Sequence, residues 1–367
     1  MKITCSKDTL ASALATAGRA ASTRAGLQIA SGVRITAADP EAPVELAATD
    51  LELAVRLPLH ADVQETGSVV VNARLLQEVV RTLRAGQVEL EATDGRLRVR
   101  AGNSRFDLLT LPVEDFPRLP DIDPERTFDV PAGALVTTIE HVVKAASRDD
   151  SRPVLTGVLV LFEPGRLTMA ATDSYRLAVK ETPLPDSAPQ PADAIVPARA
   201  LAEVQRLVGT APDGVVEVSI GTNHVAFGVL GTWLTARRIE GQFPNFRSLV
   251  PDTFEHDIPV ARDELSEVVG RIAVLARQNA PIRMRFGDGE LRVACQTPDV
   301  GEAEESLPIA FSGEPFEIGF NPEFLRDGIA IVGGDEVHVR LISPLRPALL
   351  RGQGDDVWYL IMPIRLT

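Results

Sequence analysis

The chain has 367 residues with 45% apolar side chains, enough for two or three cored domains, and its 27 glycines and 27 prolines are spread as in a turn-rich globular protein. No run approaches the ~20 apolar residues of a membrane-spanning helix, and Met1-Lys2-Ile3-Thr4-Cys5 lacks the apolar core of a signal peptide, so neither insertion nor secretion is expected. A net charge of −14, from 37 Lys and Arg against 51 Asp and Glu, argues against nucleic acid on average, although an acidic chain can still present a basic inner surface. Cys5 and Cys295 have neither metal-site spacing nor a nearby partner, which points to a reducing cytoplasm.

In chain order, residues 1–6 read as a strand, and Leu10 and Leu14 among alanines predict a helix over 10–17. Alternating segments follow at 33–37, 44–48 and 53–59. Leu75, Leu76, Val79, Val80 and Leu83 then make one apolar face of a helix over 73–83. Residues 88–92 and 97–100 flank Thr93-Asp94-Gly95-Arg96, a hairpin turn, and a strand at 106–111 leads to Phe116-Pro117. The same order recurs: a strand at 128–130, a helix over 135–147, and strands at 158–162 and 167–171 across Pro164-Gly165. After a Pro-rich loop at 183–191, Ile195-Val196-Pro197-Ala198-Arg199 matches Val70-Val71-Asn72-Ala73-Arg74 and starts a helix with Leu201, Val204, Leu207 and Val208 buried. Strands at 215–220, 224–229 and 233–239 end at Gln242-Phe243-Pro244. A third round has a strand at 254–260, a helix over 262–276, a Gly287-Asp288-Gly289 turn, a second helix after Ile318, and strands at 337–342, 348–351 and 358–367.

The most telling repeat is Ala170-Ala171-Thr172-Asp173-Ser174-Tyr175-Arg176, a near copy of Ala47-Ala48-Thr49-Asp50-Leu51-Glu52-Leu53, each a strand, a Thr-Asp turn and a second strand. Val293-Ala294-Cys295-Gln296-Thr297-Pro298 is a weaker third copy. Modules with two helices on one sheet face are expected to join through their edge strands, and closing a ring removes the edges that remain.

Motifs for catalysis are absent: there is no Gly-rich phosphate loop, HExxH, GxSxG or CxxC. The histidines (His60, His141, His224, His256, His338) are scattered singly, and the paired carboxylates sit in loop-like contexts that suit solvated charge. The predicted helices are richer in cations than the chain: Arg74, Arg81, Arg84, Lys144, Arg148, Arg199, Arg206, Arg271 and Arg277 against Glu78, Glu140, Glu203 and Glu267. If they share one surface, it would meet phosphates without reading bases, since no aromatic residues are interleaved for stacking.

Thr172-Asp173-Ser174-Tyr175-Arg176-Leu177-Ala178, Ser104-Arg105-Phe106 with Thr110-Leu111-Pro112, Asp115-Phe116-Pro117, Gly241-Gln242-Phe243-Pro244 and Met362-Pro363-Ile364-Arg365-Leu366 occur in the order of the bacterial DNA polymerase sliding clamp family. The chain resembles that family, the beta subunit of the replicative polymerase, from end to end. The resemblance implies an α+β fold of three repeated processivity-fold (DNA clamp) domains over 1–120, 121–250 and 251–367, each with two helices packed on antiparallel sheets. It also implies a head-to-tail homodimer closed into a ring around duplex DNA, with neither catalysis, cofactor nor metal. The implied partners are the polymerase alpha subunit, the clamp loader, and other polymerases and repair proteins, all through short peptides. Their groove maps onto Leu155, Thr172, Ser174, Tyr175, Arg176, Leu177, Pro244, Leu249, Leu360, Met362, Pro363 and Arg365. Arg24 and Arg152 join the helix cations as DNA-facing positions, and Arg105, Phe106, Val274 and Leu275 map onto the subunit interface. Two departures stand out: Ser174-Tyr175 replaces the common Gly-His, and Asp149-Asp150 adds negative charge to a DNA-facing loop. Two other readings compete: a second clamp copy kept for repair or resistance to a clamp-directed inhibitor, and a ligand-binding or enzymatic repeat β-protein, which predicts a monomer with polar residues clustered in one unit.

Overall fold

The computed structural model describes residues 1–21, 28–84, 86–122, 127–184, 191–209, 211–276, 280–352, 354 and 356–366. Its residues form two compact units, 1–135 with 199–238 and 136–198 with 239–367.

The first unit is built on a thirteen-stranded antiparallel sheet. Helix α1 (Lys7–Ala17) buries Leu10, Ala13, Leu14 and Ala17, and α2 (Ala73–Thr82) buries Ala73, Leu76, Val79 and Val80. α1 starts before the apolar spacing does, because Ser6 Oγ accepts from Thr9 N–H (3.1 Å) and caps a polar first turn. Asn72 caps α2 in the same way through Leu75 N–H (2.9 Å). The strand Leu53–Leu59 from the first repeat pairs antiparallel with Thr232–Arg237 from the second, Ala54 opposite Thr235. This is the edge-to-edge joining that repetition implied, and it makes one sheet of two repeats.

Helices α3 (Ala132–Val142) and α4 (Ala198–Val208) each start among the residues of one unit and end among those of the other. The helix predicted over 135–147 starts at Ala132 and gives way to a 3-10 turn at Val143–Ala145.

The second unit holds an eight-stranded and a four-stranded sheet, both antiparallel. Here Arg176–Pro183 pairs with Val357–Ile361, Leu177 opposite Leu360, repeating the join of the first unit. α5 (Arg262–Ile272) ends earlier than expected and continues as a 3-10 turn, Ala273–Leu275. α6 (Pro322–Ile331) is capped by Asn321 and has proline in its first turn, where no amide donor is needed. Gly328 lets α6 lie close to the sheet, since a Cβ there would stand 2.6 Å from the Tyr359 ring. The strand Gly301–Pro308 was not anticipated, because Gly-Glu-Ala-Glu-Glu-Ser-Leu-Pro carries almost no apolar alternation; it lies at the edge of the four-stranded sheet. The loop predicted over 183–191 falls mostly on residues outside those described.

Candidate functional site

The repeated Thr-Asp segment folds into a fixed turn in the second unit. Thr172 Oγ1 donates to Arg176 O (2.6 Å) and accepts from Ser174 N–H (3.2 Å), while Asp173 Oδ1 accepts from the amides of Tyr175 (2.9 Å) and Arg176 (3.0 Å). Ser174 sits at φ 80°, a left-handed conformation that glycine adopts more cheaply, and this lifts Tyr175 to the surface, 61% exposed.

Arg176 runs inward from the turn and its guanidinium is 5% exposed. Nε donates to Asp173 Oδ2 (3.1 Å), Nη1 to Asp327 Oδ2 on α6 (2.6 Å), and Nη2 to the Lys144 carbonyl (2.6 Å); Tyr359 Oη lies 3.5 Å from Nη1 and the Phe324 ring lies 4.2 Å from the guanidinium carbon. Burial opposes its charge, but Tyr359, Asp327 and Asp173 together hold the group protonated, above its ordinary range. These bonds tie the turn to α6 and to the Lys144 carbonyl. Burial pushes the Tyr359 phenol well above its usual range, so it is a neutral partner.

Above this network opens a cavity of about 340 Å³. Leu155, Leu177, Pro244, Leu249, Leu360 and Met362 form its apolar wall, with Thr172, Ser174, Tyr175 and Arg176 at the turn. Its floor is the core cluster of Ala170, Leu177, Ile195, Phe243, Phe246 and Leu360. Pro347 also lines it and was missed; no repeat or motif marks that loop, and only the pairing of Ala348–Arg351 with the last strand brings it here. Pro363 and Arg365 are not among the lining residues. The chain's end is nonetheless pinned: Met362 N–H donates to Tyr175 O (2.8 Å), Ile364 N–H to Gly319 O (2.7 Å), and Leu366 packs where a Cβ on residue 319 would stand 2.6 Å from its Cδ2. A preformed, mostly apolar pocket with a few fixed polar groups suits the apolar anchors of a short peptide.

The cations assigned to DNA are largely matched by acids. Arg74 pairs with Glu78 (2.9 Å), Lys144 with Asp327 (3.5 Å), Arg148 with Glu323 (3.8 Å) and Arg152 with Asp149 (3.0 Å). Arg199 reaches both Asp50 (2.9 Å) and Glu52 (2.6 Å), and Arg206 pairs with Glu203. Asp50 and Glu52 reach these cations from the first Thr-Asp turn, and Glu323 and Asp327 from α6. α5 itself carries Asp263 and Glu264 besides Glu267, so α1 to α6 hold no excess of cations. Arg81 is exposed in the last turn of α2. Arg24 and Arg277 lie outside the described residues. Arg74–Glu78 and Arg148–Glu323, exposed on both sides, contribute about 0–1 kcal/mol each, so a phosphate could replace the acid there at small cost.

Of the positions mapped to a subunit interface, Arg105 is exposed and Phe106 half-buried on the strand Ser104–Leu111, while Val274 (71% exposed) and Leu275 lie on the 3-10 turn after α5 rather than on the helix. Among the described residues no group of three or more His, Cys, Asp or Glu could hold a metal, and no helix is long and apolar enough to cross a membrane.

Comparison with known proteins covers nearly the whole chain. Residues 1–120, 129–245 and 247–365 match the family profiles of the DNA polymerase III beta subunit N-terminal, central and C-terminal domains. The beta sliding clamp of Streptomyces coelicolor is 34% identical over 378 aligned positions, covering all of both chains, and that of Micrococcus luteus is 36% identical over 84% of this chain and 99% of its own. Among solved structures, the Bacillus subtilis DNA polymerase sliding clamp superposes with a TM-score of 0.95 at 26% identity. A Pseudomonas aeruginosa sliding clamp bound to griselimycin gives 0.92 at 28%; both cover the whole of each chain.

Proposed function

Because the chain belongs to the bacterial beta sliding clamp family, the beta subunit of DNA polymerase III, we propose that two copies close head to tail into a ring around duplex DNA and that the groove on the second unit tethers the polymerase. The chain is a polymerase processivity factor with three clamp domains. The observation that carries the tethering is the preformed cavity between the Thr172–Arg176 turn and the chain's last strand, apolar in its wall and held rigid by Arg176. An enclosed ring needs little affinity for DNA; its value is to raise the effective concentration of an enzyme at the primer end. Short peptides with one or two apolar anchors let the polymerase alpha subunit, the clamp loader and repair enzymes take turns at one pocket.

Ring closure has a physical basis in two strand edges. Gly301–Pro308 pairs on one side only, and Ser104–Leu109 pairs with Arg96–Ala101 on one side, leaving an edge of each open among the described residues. Glu302 and Glu304 on the first suit Arg105 on the second; Leu109 (72% exposed) lies on the second strand itself, and Val274 (71%) on the 3-10 turn that packs against the first. The ring itself is read as non-catalytic and cytoplasmic. The buried Cys5 thiol, pushed up to about 11 by burial, suits a reduced protein without disulfides. A second copy kept for repair or inhibitor resistance is not favoured, since the relatives are named for the sliding clamp itself.

The test is a fluorescence titration with a Gln-x-x-Leu-type peptide. Removal of the residues from Met362 onward, or Leu177→Asp, should abolish binding while sedimentation still reports a dimer. Wild-type affinity in both variants would overturn the assignment of the groove.

A further inference from the structure

The Thr-Asp turn of the first unit reproduces the groove turn bond for bond. Thr49 Oγ1 donates to Leu53 O (2.9 Å) and accepts from Leu51 N–H (3.0 Å), as Thr172 does with Arg176 and Ser174. Asp50 Oδ1 accepts from the amides of Glu52 (3.0 Å) and Leu53 (2.8 Å), and Leu51 sits at φ 77° where Ser174 sits at 80°. Arg237 N–H donates to Glu52 O at 2.8 Å, as Met362 N–H does to Tyr175 O. Even the floor corresponds: Ala47, Ala54, Val70, Phe116 and Leu119 stand where Ala170, Leu177, Ile195, Phe243 and Phe246 stand. Over this floor lies a cavity of about 370 Å³, slightly larger than the groove.

The frame is shared but the chemistry is not. Glu52 occupies the place of Tyr175, Thr235 that of Leu360, His224 that of Pro347, and Asp121 that of Ser248. Leu51, half exposed, and the buried Leu53 and Leu119 keep an apolar side. Glu52 pairs with Arg199 yet its side chain remains 67% exposed, and Arg118 is the only Lys or Arg among the described lining residues. Glu52 and Asp121 thus put two exposed carboxylates on the rim, with Arg199 against the first and Arg56 donating to the Leu119 and Pro120 carbonyls (2.9 and 3.2 Å) behind the wall.

We propose that this cavity is a second docking site, for an extended peptide that places an aliphatic side chain between Leu51 and Leu119 and a lysine or arginine against Glu52 and Asp121. The inference builds on the reading of the groove as a peptide site, because it carries the same backbone frame to a new place. Charge on the rim gives the selectivity and attracts the basic segment, while the apolar side gives the anchor.

The experiment is fluorescence anisotropy on the full chain with a labelled Arg-Leu-Leu-Lys peptide, the groove being saturated with unlabelled Gln-x-x-Leu-type peptide. Saturable binding is expected, with a Glu-Leu-Leu-Glu peptide failing to compete. Glu52→Lys combined with Asp121→Lys should weaken it about tenfold or more, and Arg118→Glu should tighten it. Both variants should still bind labelled Gln-x-x-Leu-type peptide normally, which shows them folded. No saturation at millimolar peptide, displacement by the groove peptide, equal binding of the acidic peptide, or indifference to both variants would each overturn the second site. Failure of the labelled Gln-x-x-Leu-type peptide to bind the wild type would instead overturn the groove reading.

Discussion

The guanidinium of Arg176 is buried and bonded to Asp173, Asp327 and the Lys144 carbonyl, so Asp327→Asn leaves a cation in the interior short of its counter-charge. Breaking such a pair costs about 3 kcal/mol, and the turn that carries Tyr175 and Leu177 loses its inner anchor. Calorimetry should show a lower unfolding temperature and titration a weaker groove peptide; an unchanged value of either would show that Arg176 is not the brace. His224 gives a separate signal. Burial, then the neighbouring Arg237, holds its imidazole below the ordinary range, so between the folded value and the usual one near 6.5 the unfolded chain binds the proton and the folded chain does not. Stability from this group is complete above that range and is lost as pH falls through it. His224→Gln should flatten the slope of stability against pH there, as read by denaturant unfolding at stepped pH.

At the level of elements, Leu275 closes the short 3-10 turn after α5, with Thr297 Oγ1 donating to its carbonyl (2.6 Å). Leu275→Asp places a charge where a partner subunit would exclude water, and dissociation should become measurable in sedimentation at micromolar protein. An unchanged dimer would remove this turn from the interface. The helices and most strands were legible in the sequence because their periodicity reports burial directly, as in Leu76, Val79 and Val80 of α2. Gly301–Pro308 was not legible, since an edge strand with Glu at alternate positions buries little and leaves no apolar signal. Likewise the groove's turn was visible as a repeat, but Pro347 and Asp327 were not, because only pairing and packing between distant segments bring them there.

Across the whole molecule, charge pairing changes what binding to DNA should look like. Arg74 and Arg148 are exposed but face Glu78 and Glu323, which damps their pull on phosphate. Glu78→Gln with Glu323→Gln should raise direct affinity for duplex and steepen the slope of log affinity against log salt, by up to about 0.9 for each additional phosphate neutralised, with no sequence preference. An unchanged slope would place these arginines away from DNA. Retention, by contrast, should depend on topology rather than affinity, because a closed ring cannot leave a circle. The most direct measurement is therefore to load the protein with its clamp loader onto nicked circular DNA, remove free protein by gel filtration at high salt, and cut the circle once. A sliding ring stays with the circle through the column and is released on linearisation. Equal loss from circular and linear DNA, or retention that survives the cut, would contradict encirclement.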